Sequence, residues 1–135
     1  MRNKLIHNIV FFTLLLFVYA SVSAQNDIPV DIKQAFRNGD AKKLTNYVGS
    51  TLELSVPGNE SIYSKSQALM IIQNFFTKYP PSNFVILHQG GKVSSKYAIG
   101  NLTSGDKTFR VTFLLKIKEN QVILHQLRIE EENAK

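Results

Sequence analysis

The residues Tyr79-Pro80-Pro81 divide the chain into a helical part and a strand part. Before them, apolar side chains recur at helical spacing, and a residue that precedes proline disfavours helix, so the helix must end there. After them, the pattern becomes that of four strands with short turns between them: residues 84–89, 96–103, 107–118 and 121–130. Short turns between neighbouring strands predict an antiparallel meander.

The segment before the prolines predicts the longest helix. Ser64-Lys65-Ser66-Gln67 has the S-x-x-Q pattern of a capping box, which marks a helix N-terminus. An apolar stripe follows it, formed by Ala68, Ile72, Phe75, Phe76 and Tyr79. Such a stripe is typical of a helix face packed on a core, rather than of a cofactor site.

The residues from 27 to 63 predict two short helices and two strands. Asp27 is placed to cap the first helix and Gly39 to end it, and Asp40 is placed to cap the second. Residues 51–56 alternate as a half-buried strand, and residues 61–63 form a short second strand after a Pro-Gly-Asn turn. The order ααββαββββ predicts an α+β fold, in which a curled antiparallel sheet of about six strands wraps on the long helix.

The first 24 residues are typical of a secretory signal peptide. Arg2 and Lys4 precede an apolar run over residues 5–20, and small residues ending in Ala24 follow it. The run is shorter than the roughly 20 residues of a membrane-spanning helix. We therefore expect cleavage before Gln25 and an exported, periplasmic or secreted, protein that meets the membrane only transiently. A retained membrane anchor is the alternative.

The composition excludes several classes of function. Removal of residues 1–24 leaves 111 of the 135 residues, and loss of Arg2 and Lys4 reduces the formal charge from +6 to +4. This charge without a dense basic run argues against nucleic-acid binding. The chain has no cysteine, which excludes disulfides, thiolate metal sites and thiol catalysis. Residues 25–135 suffice for a single domain with one hydrophobic core.

Two-residue loops between the last four strands would assign every side chain to one of two sheet faces. The face under the helix would then carry Val85, Leu87, Ala98, Gly100, Leu102, Phe109, Val111, Phe113, Leu115, Ile117, Val122 and Leu124. The opposite face would carry Phe84, Ile86, His88, Tyr97, Ile99, Asn101, Arg110, Thr112, Leu114, His125, Leu127 and Ile129, with no Asp or Glu. A bulge would exchange the faces beyond it. The apolar excess on the opposite face predicts a partner, most simply a second copy of the chain.

Two groups of residues are candidates for binding a ligand. The first lies on the opposite face: His88, Tyr97, Asn101, Arg110 and His125. Histidine can act as an acid or a base, and arginine binds carboxylates and phosphates, but the same side chains also serve as polar members of an interface. The second group is Gln126 and Arg128, expected at one end of the helix-covered face, either in a pocket or at a solvent-exposed rim. Two histidines without a third ligand do not predict a metal site, and no cofactor is expected.

Several short motifs resemble those of a known family. The segments Tyr63-Ser64-Lys65, Phe75-Phe76, His88-Gln89-Gly90, Tyr97-Ala98-Ile99-Gly100 and Phe109-Arg110-Val111 resemble an uncharacterised family, a domain of unknown function of small exported bacterial proteins. This family is similar to the nuclear transport factor 2-like (NTF2-like) superfamily, with its cystatin-like α+β cone. The resemblance covers residues 28–129 and implies a sheet closed by a long helix. Relatives include enzymes whose sites use acidic residues and a tyrosine inside the cone, a pattern that the apolar inward positions here lack.

These observations favour a small non-catalytic exported domain. We expect it to form a homodimer through its sheet and to bind a small apolar ligand or a protein partner, such as an envelope enzyme or transporter that it assists. The alternative is a small-molecule isomerase, lyase or hydrolase with a pocket inside the cone, which would use Tyr97, His88 or Arg110. No catalytic residue is assigned.

Overall fold

One mixed sheet of six strands and two α-helices make up the fold in the computed structural model, which describes residues 27–133. The elements are α1 (Val30–Asn38), a short 3-10 helix (Ala41–Leu44), β1 (Val48–Val56), β2 (Asn59–Ser64), α2 (Lys65–Lys78), β3 (Asn83–Gly91), β4 (Ser95–Ser104), β5 (Lys107–Lys118) and β6 (Gln121–Glu132). The strand order is β2-β1-β6-β5-β4-β3. This arrangement confirms the predicted α+β fold and order of elements, while the predicted signal segment, residues 1–24, lies outside the described residues.

All strand pairs are antiparallel except β1 with β6, which are parallel. The final four strands form the predicted meander, because each pairs with the next one along the chain. The parallel pair brings the first hairpin beside the end of the chain, so that Glu53 lies opposite Gln126. β2 and β3 are therefore the two edges of the sheet.

Local signals explain where the helices begin and end. The hydroxyl of Ser64 accepts a hydrogen bond from the backbone N–H of Gln67, and α2 ends just before Tyr79, as predicted. Gly39 adopts a left-handed conformation after α1, and Asp40 accepts a hydrogen bond from the N–H of Lys42. Among residues 27–133, no helix has the length and hydrophobicity needed to cross a membrane.

The start of α1 differs from the prediction. Asp27 does not cap it, because the helix begins only after Pro29, whose fixed φ suits the entry to a helix. Asp27 instead forms an ion pair with Lys33 at 3.3 Å. Hydrogen bonds from Gln89 and from Lys33 lower the pKa of the Asp27 carboxyl.

Two β-bulges correct the predicted sheet faces. In β6, the pairing shifts between Leu124 and Gln126, so that His125 is the extra residue and every later side chain changes face. Leu127 and Ile129 are buried in the core, contrary to the prediction. Gln126 and Arg128 were predicted under the helix but lie on the other face of the sheet. They pair with Leu114 and Thr112 of β5.

The second bulge lies in β3, between Ile86 and His88. It turns Phe84 into the core, where only 1% of its surface is exposed, and leaves Val85 outside. Both placements are the reverse of the prediction. The loop to β4 spans residues 92–94 rather than the two residues assumed from the sequence. Because the bulge lies before His88, this residue still shares a face with Ile99, as predicted.

Phenylalanine rings fill the interior between the helices and the sheet. Phe36 of α1 lies at their centre, with ring centroids 5.2 Å from Phe76, 4.9 Å from Phe113 and 5.3 Å from Phe84. Edge-on arrangements such as those with Phe76 and Phe113 are favourable beyond the area that they bury. Ser104 is the single polar residue among those that are buried within residues 27–133. The described interior is thus a packed apolar core.

Candidate functional site

The face of the sheet that is turned away from the packed core, here called the outer face, gathers most of the predicted site residues. Cross-strand pairing places Tyr97, Asn101, Arg110, Gln126 and Arg128 on it. His88 lies there as well, at the β3 edge, and His125 is the exposed extra residue of the β6 bulge. The two predicted groups are therefore one group, because the bulge brings Gln126 and Arg128 to the face that holds the others.

Ion pairs hold both arginines of this face. Arg110 Nη2 lies 2.8 Å from Glu132 Oε1. Arg128 lies 3.6 Å from Glu60 and 3.5 Å from Glu130. The expectation that this face lacks acidic residues is thus wrong, since the β6 bulge turns Glu130 and Glu132 toward it and β1 and β2 add two more carboxylates. Pairs as exposed as these contribute about 0–1 kcal/mol each.

Three consecutive glutamates near the end of β6 belong to the sheet. Glu130, Glu131 and Glu132 are the last residues of β6 and pair with β5. Lys107 Nζ donates a hydrogen bond to Glu131 on the core-facing side of the sheet, and this contact raises the pKa of the lysine. On the outer face, Gln126 Nε2 donates a hydrogen bond to Glu53 Oε1 at 2.8 Å across the parallel strands. The centre and one end of the outer face are therefore polar and internally paired.

The β3–β4 end of the outer face is apolar. Val85, Leu87 and Tyr97 expose 45%, 50% and 43% of their surfaces, and Ile99 lies half-buried beside them. Tyr97 covers Gly90 of β3, where an added Cβ would lie 3.1 Å from the phenolic oxygen. We call Val85, Leu87 and Tyr97 the apolar corner. Together with Val93 of the next loop, they are four of the seven large hydrophobic residues exposed within residues 27–133.

Asn101 lies between the apolar corner and the ion pairs. It is opposite Val85 of β3 and Arg110 of β5. Its Oδ1 atom is shielded from solvent and accepts no hydrogen bond from the described residues. The adjoining surface is a depression of about 620 Å³, bounded by the β4–β5 turn and the end of β6. A further depression of about 500 Å³ follows beside Arg110 and Glu130. Both are open, polar surfaces and do not lead into the core.

A separate groove of about 300 Å³ lies between the end of α2 and the β1–β2 turn. Val56 and Phe75 are buried at its floor, and Lys78 Nζ lies 5.3 Å from the centroid of the Tyr79 ring. Phe75 and Tyr79 both pack against Phe109 of β5, at 5.0 and 4.8 Å between centroids. These contacts close the groove from the interior, so it is a shallow surface feature.

The outer face offers little acid–base chemistry. His88 and His125 are exposed and lie on β3 and β6, which β4 and β5 separate. Within the part of the chain that the structure describes, no three His, Asp or Glu side chains converge as metal ligands would. The arginines are neutralised by carboxylates. What the face presents is apolar surface at one end and paired charges elsewhere.

The acidic members of this face were missed from the sequence, although one signal was there. Leu124 and Leu127 are three residues apart, so a regular strand cannot direct both into the core. A bulge between them satisfies both, and it turns Glu130 and Glu132 outward. Glu53 and Glu60 lie on the outer face because the parallel pairing of β1 with β6 places the first hairpin beside β6. No local sequence pattern predicts this parallel pairing.

Comparison with known proteins agrees with this architecture. Residues 29–130 match the family described as a domain of unknown function, DUF4783. A crystal structure of a DUF4783 family protein from Bacteroides ovatus is 35% identical, with a TM-score of 0.75, and the match covers 82% of this chain and 100% of that one. A second, from Bacteroides uniformis, is 26% identical, covers 80% and 100% of the two chains, and has a TM-score of 0.75.

More distant structures share the fold alone. An NTF2-like protein of unknown function from Shewanella baltica is 13% identical, covers 77% of this chain and 87% of its own, and has a TM-score of 0.58. No curated protein matches the chain. The resemblance predicted from the short motifs is confirmed: the chain belongs to the DUF4783 family, and its fold is NTF2-like.

Proposed function

We propose that this protein is an exported, non-catalytic binding domain that pairs with a second copy through its sheet. The observation that supports this proposal is the apolar corner. Val85, Leu87 and Tyr97 are exposed together on a face whose two arginines, Arg110 and Arg128, are ion-paired. An apolar cluster of this kind on a small domain is typical of an interaction site, whereas single exposed hydrophobic residues are ordinary.

The packing of the interior supports a non-catalytic role. The cone position that would hold a substrate is filled by Phe36 and the rings around it. Among the buried residues of the range 27–133, Ser104 has the single polar side chain. General acid–base catalysis needs a titratable group within hydrogen-bond reach of the reacting atoms, and the described interior provides none.

The export part of the proposal rests on residues 1–24. A basic start, an apolar run and Ala24 before Gln25 are what a secretory signal peptide needs. Without cysteine, an exported domain of this size relies on core packing, and a second copy would add buried surface.

Native mass spectrometry of the full chain, purified from an exporting bacterial host, tests these points together. We expect a product that begins at Gln25 and a complex with the mass of two such chains. Retention of residues 1–24 would contradict export with cleavage. A single-chain mass at every protein concentration would contradict pairing.

A small apolar ligand is the second candidate, and the groove beside α2 supports it. Its floor is apolar, through Val56 and Phe75, and Lys78 and Asn74 at its rim would hold a polar end group. The same mass spectra report on it, since a bound molecule adds its own mass to each chain. Loss of that added mass in an Ile71→Lys variant, which places a charge in the groove, would assign the ligand to this place.

A further inference from the structure

Strand β3 is an edge of the sheet, and apart from its bulge it lacks the charged and proline residues that usually protect an edge. It pairs with β4 on one side only, and six of its nine residues are exposed. Alternate residues of an edge strand direct their backbone N–H and C=O groups away from the sheet, where another strand can bind them. From Asn83 to Gly91, β3 contains no Lys, Arg, Asp, Glu or Pro, which are the residues that commonly block such pairing.

The other edge is protected. β2 has six residues, against nine in β3, and it carries Glu60, which forms an ion pair with Arg128. Glu60 places a charge on the β2 edge, which opposes pairing of this edge with that of a second copy. The sheet therefore has one edge that is open to a further strand and one that is not.

We propose that a second copy of this chain binds at β3, with the two β3 strands antiparallel, so that two six-stranded sheets become one continuous sheet. This rests on the proposed function, of which it specifies the contact. Antiparallel pairing about a two-fold axis satisfies both open edges at once, and the uncharged strand meets no like charge from its copy. The two protected β2 edges then lie at the far ends, so the assembly stops at two chains.

The charges of the outer face favour edge pairing over face-to-face packing. Arg110, Arg128 and their carboxylate partners occupy the middle of that face, and burying them against a second sheet would carry a large desolvation cost. Edge pairing leaves these groups in water. It also places Val85 and Leu87 of one copy beside those of the other on the outer face, which covers part of the apolar corner.

The β3 bulge limits how far the pairing extends. The strand is regular from Asn83 to Ile86, shifts register before His88, and ends at Gly91, after which the loop over residues 92–94 leads into β4. An interface of this length is small, so we expect a dimer that dissociates on dilution.

Hydrogen exchange of the unmodified full chain tests the contact without any substitution. Edge pairing makes new backbone hydrogen bonds, so exchange of amides within residues 83–91 should slow as protein concentration rises. Residues 59–64 of β2 serve as the matched control and should show no such change. Face-to-face packing leaves the hydrogen bonds of the β3 edge unmade, so a dimer with unchanged exchange there would overturn the edge contact.

Thiol cross-linking gives an independent answer, because the chain has no cysteine of its own. We expect a short bifunctional thiol reagent to link two copies of V85C or L87C, and to link neither I62C on the β2 edge nor T112C in the middle of the outer face. Circular dichroism checks that each variant is folded. Cross-linking of T112C or I62C instead would overturn the β3 contact while leaving a dimer, whereas a single-chain mass in every experiment would overturn both the contact and the proposed function.

Discussion

Replacement of Phe36 by alanine tests whether the interior is a packed core or a ligand pocket. Phe36 is fully buried, and three aromatic rings lie within 5.3 Å of its centroid. Truncating a buried phenylalanine costs about 3–5 kcal/mol, through lost apolar burial and the cavity that remains. For a domain of about 100 residues this corresponds to a fall in Tm of about 15–25 °C. The stability of such a domain is about 5–15 kcal/mol, so the loss is a large share of it.

The assay is urea unfolding followed by circular dichroism, for the wild type, Phe36→Ala and a control. Val93→Ala is the control, since Val93 is 89% exposed and its truncation should change the free energy of unfolding by less than about 0.5 kcal/mol. We expect the urea midpoint of Phe36→Ala to fall while the slope stays the same. A loss below about 1 kcal/mol would refute the reasoning, because it would mean that Phe36 lines an open pocket rather than a filled core.

Three further predictions concern register, close packing and pH. Leu127→Ala should lower the free energy of unfolding by about 2–5 kcal/mol, and Arg128→Ala should lower it by no more than about 1 kcal/mol. The reason is that the β6 bulge buries Leu127 and exposes Arg128. Equal losses in urea unfolding would contradict the register of β6. Gly100→Ala should lower Tm, because the added Cβ would lie 2.8 Å from the backbone oxygen of Val85. An unchanged Tm in a thermal unfolding scan would contradict this close contact between β3 and β4. Burial and the neighbouring Asp31 raise the pKa of Tyr47, so the unfolded chain loses the phenolic proton at a lower pH than the folded one. The free energy of unfolding should therefore fall as the pH rises above the ordinary tyrosine pKa. Tyr47→Phe should weaken this fall when unfolding is measured against pH, and an unchanged pH profile would contradict the contact between Tyr47 and Asp31.

The helices and the meander follow from local signals that the sequence carries. Ser64 and Gln67 mark the start of α2, and Tyr79 before two prolines marks its end. The turns at Gly105 and at Glu119-Asn120 adopt positive φ, which short connections between antiparallel strands need. Each of these features depends on residues a few positions apart, so inspection of the sequence finds them.

The sheet faces were not predictable in full, because a β-bulge depends on packing at a distance. The run Phe84-Val85-Ile86-Leu87 is apolar at every position, so alternation does not say which residues face the core. In β6 the spacing of Leu124 and Leu127 does indicate a bulge, but not which residue is the extra one. The parallel contact of β1 with β6 joins residues 73 positions apart, at Glu53 and Gln126, and leaves no local pattern. The sequence thus indicates many of the residues on the outer face, while their arrangement depends on contacts that it does not show.

Sedimentation equilibrium over a wide range of protein concentration tests the central claim, self-association through the sheet, most directly. The wild type should approach the mass of two chains as concentration rises. A variant with Val85→Lys and Leu87→Lys, which places charge on the exposed β3 edge, should remain a single chain while keeping its circular dichroism spectrum. Met70→Lys is the matched control, since Met70 is equally exposed on α2, and it should still dimerise. A wild type that stays a single chain at every concentration, or a β3 variant that dimerises as the wild type does, would contradict the account.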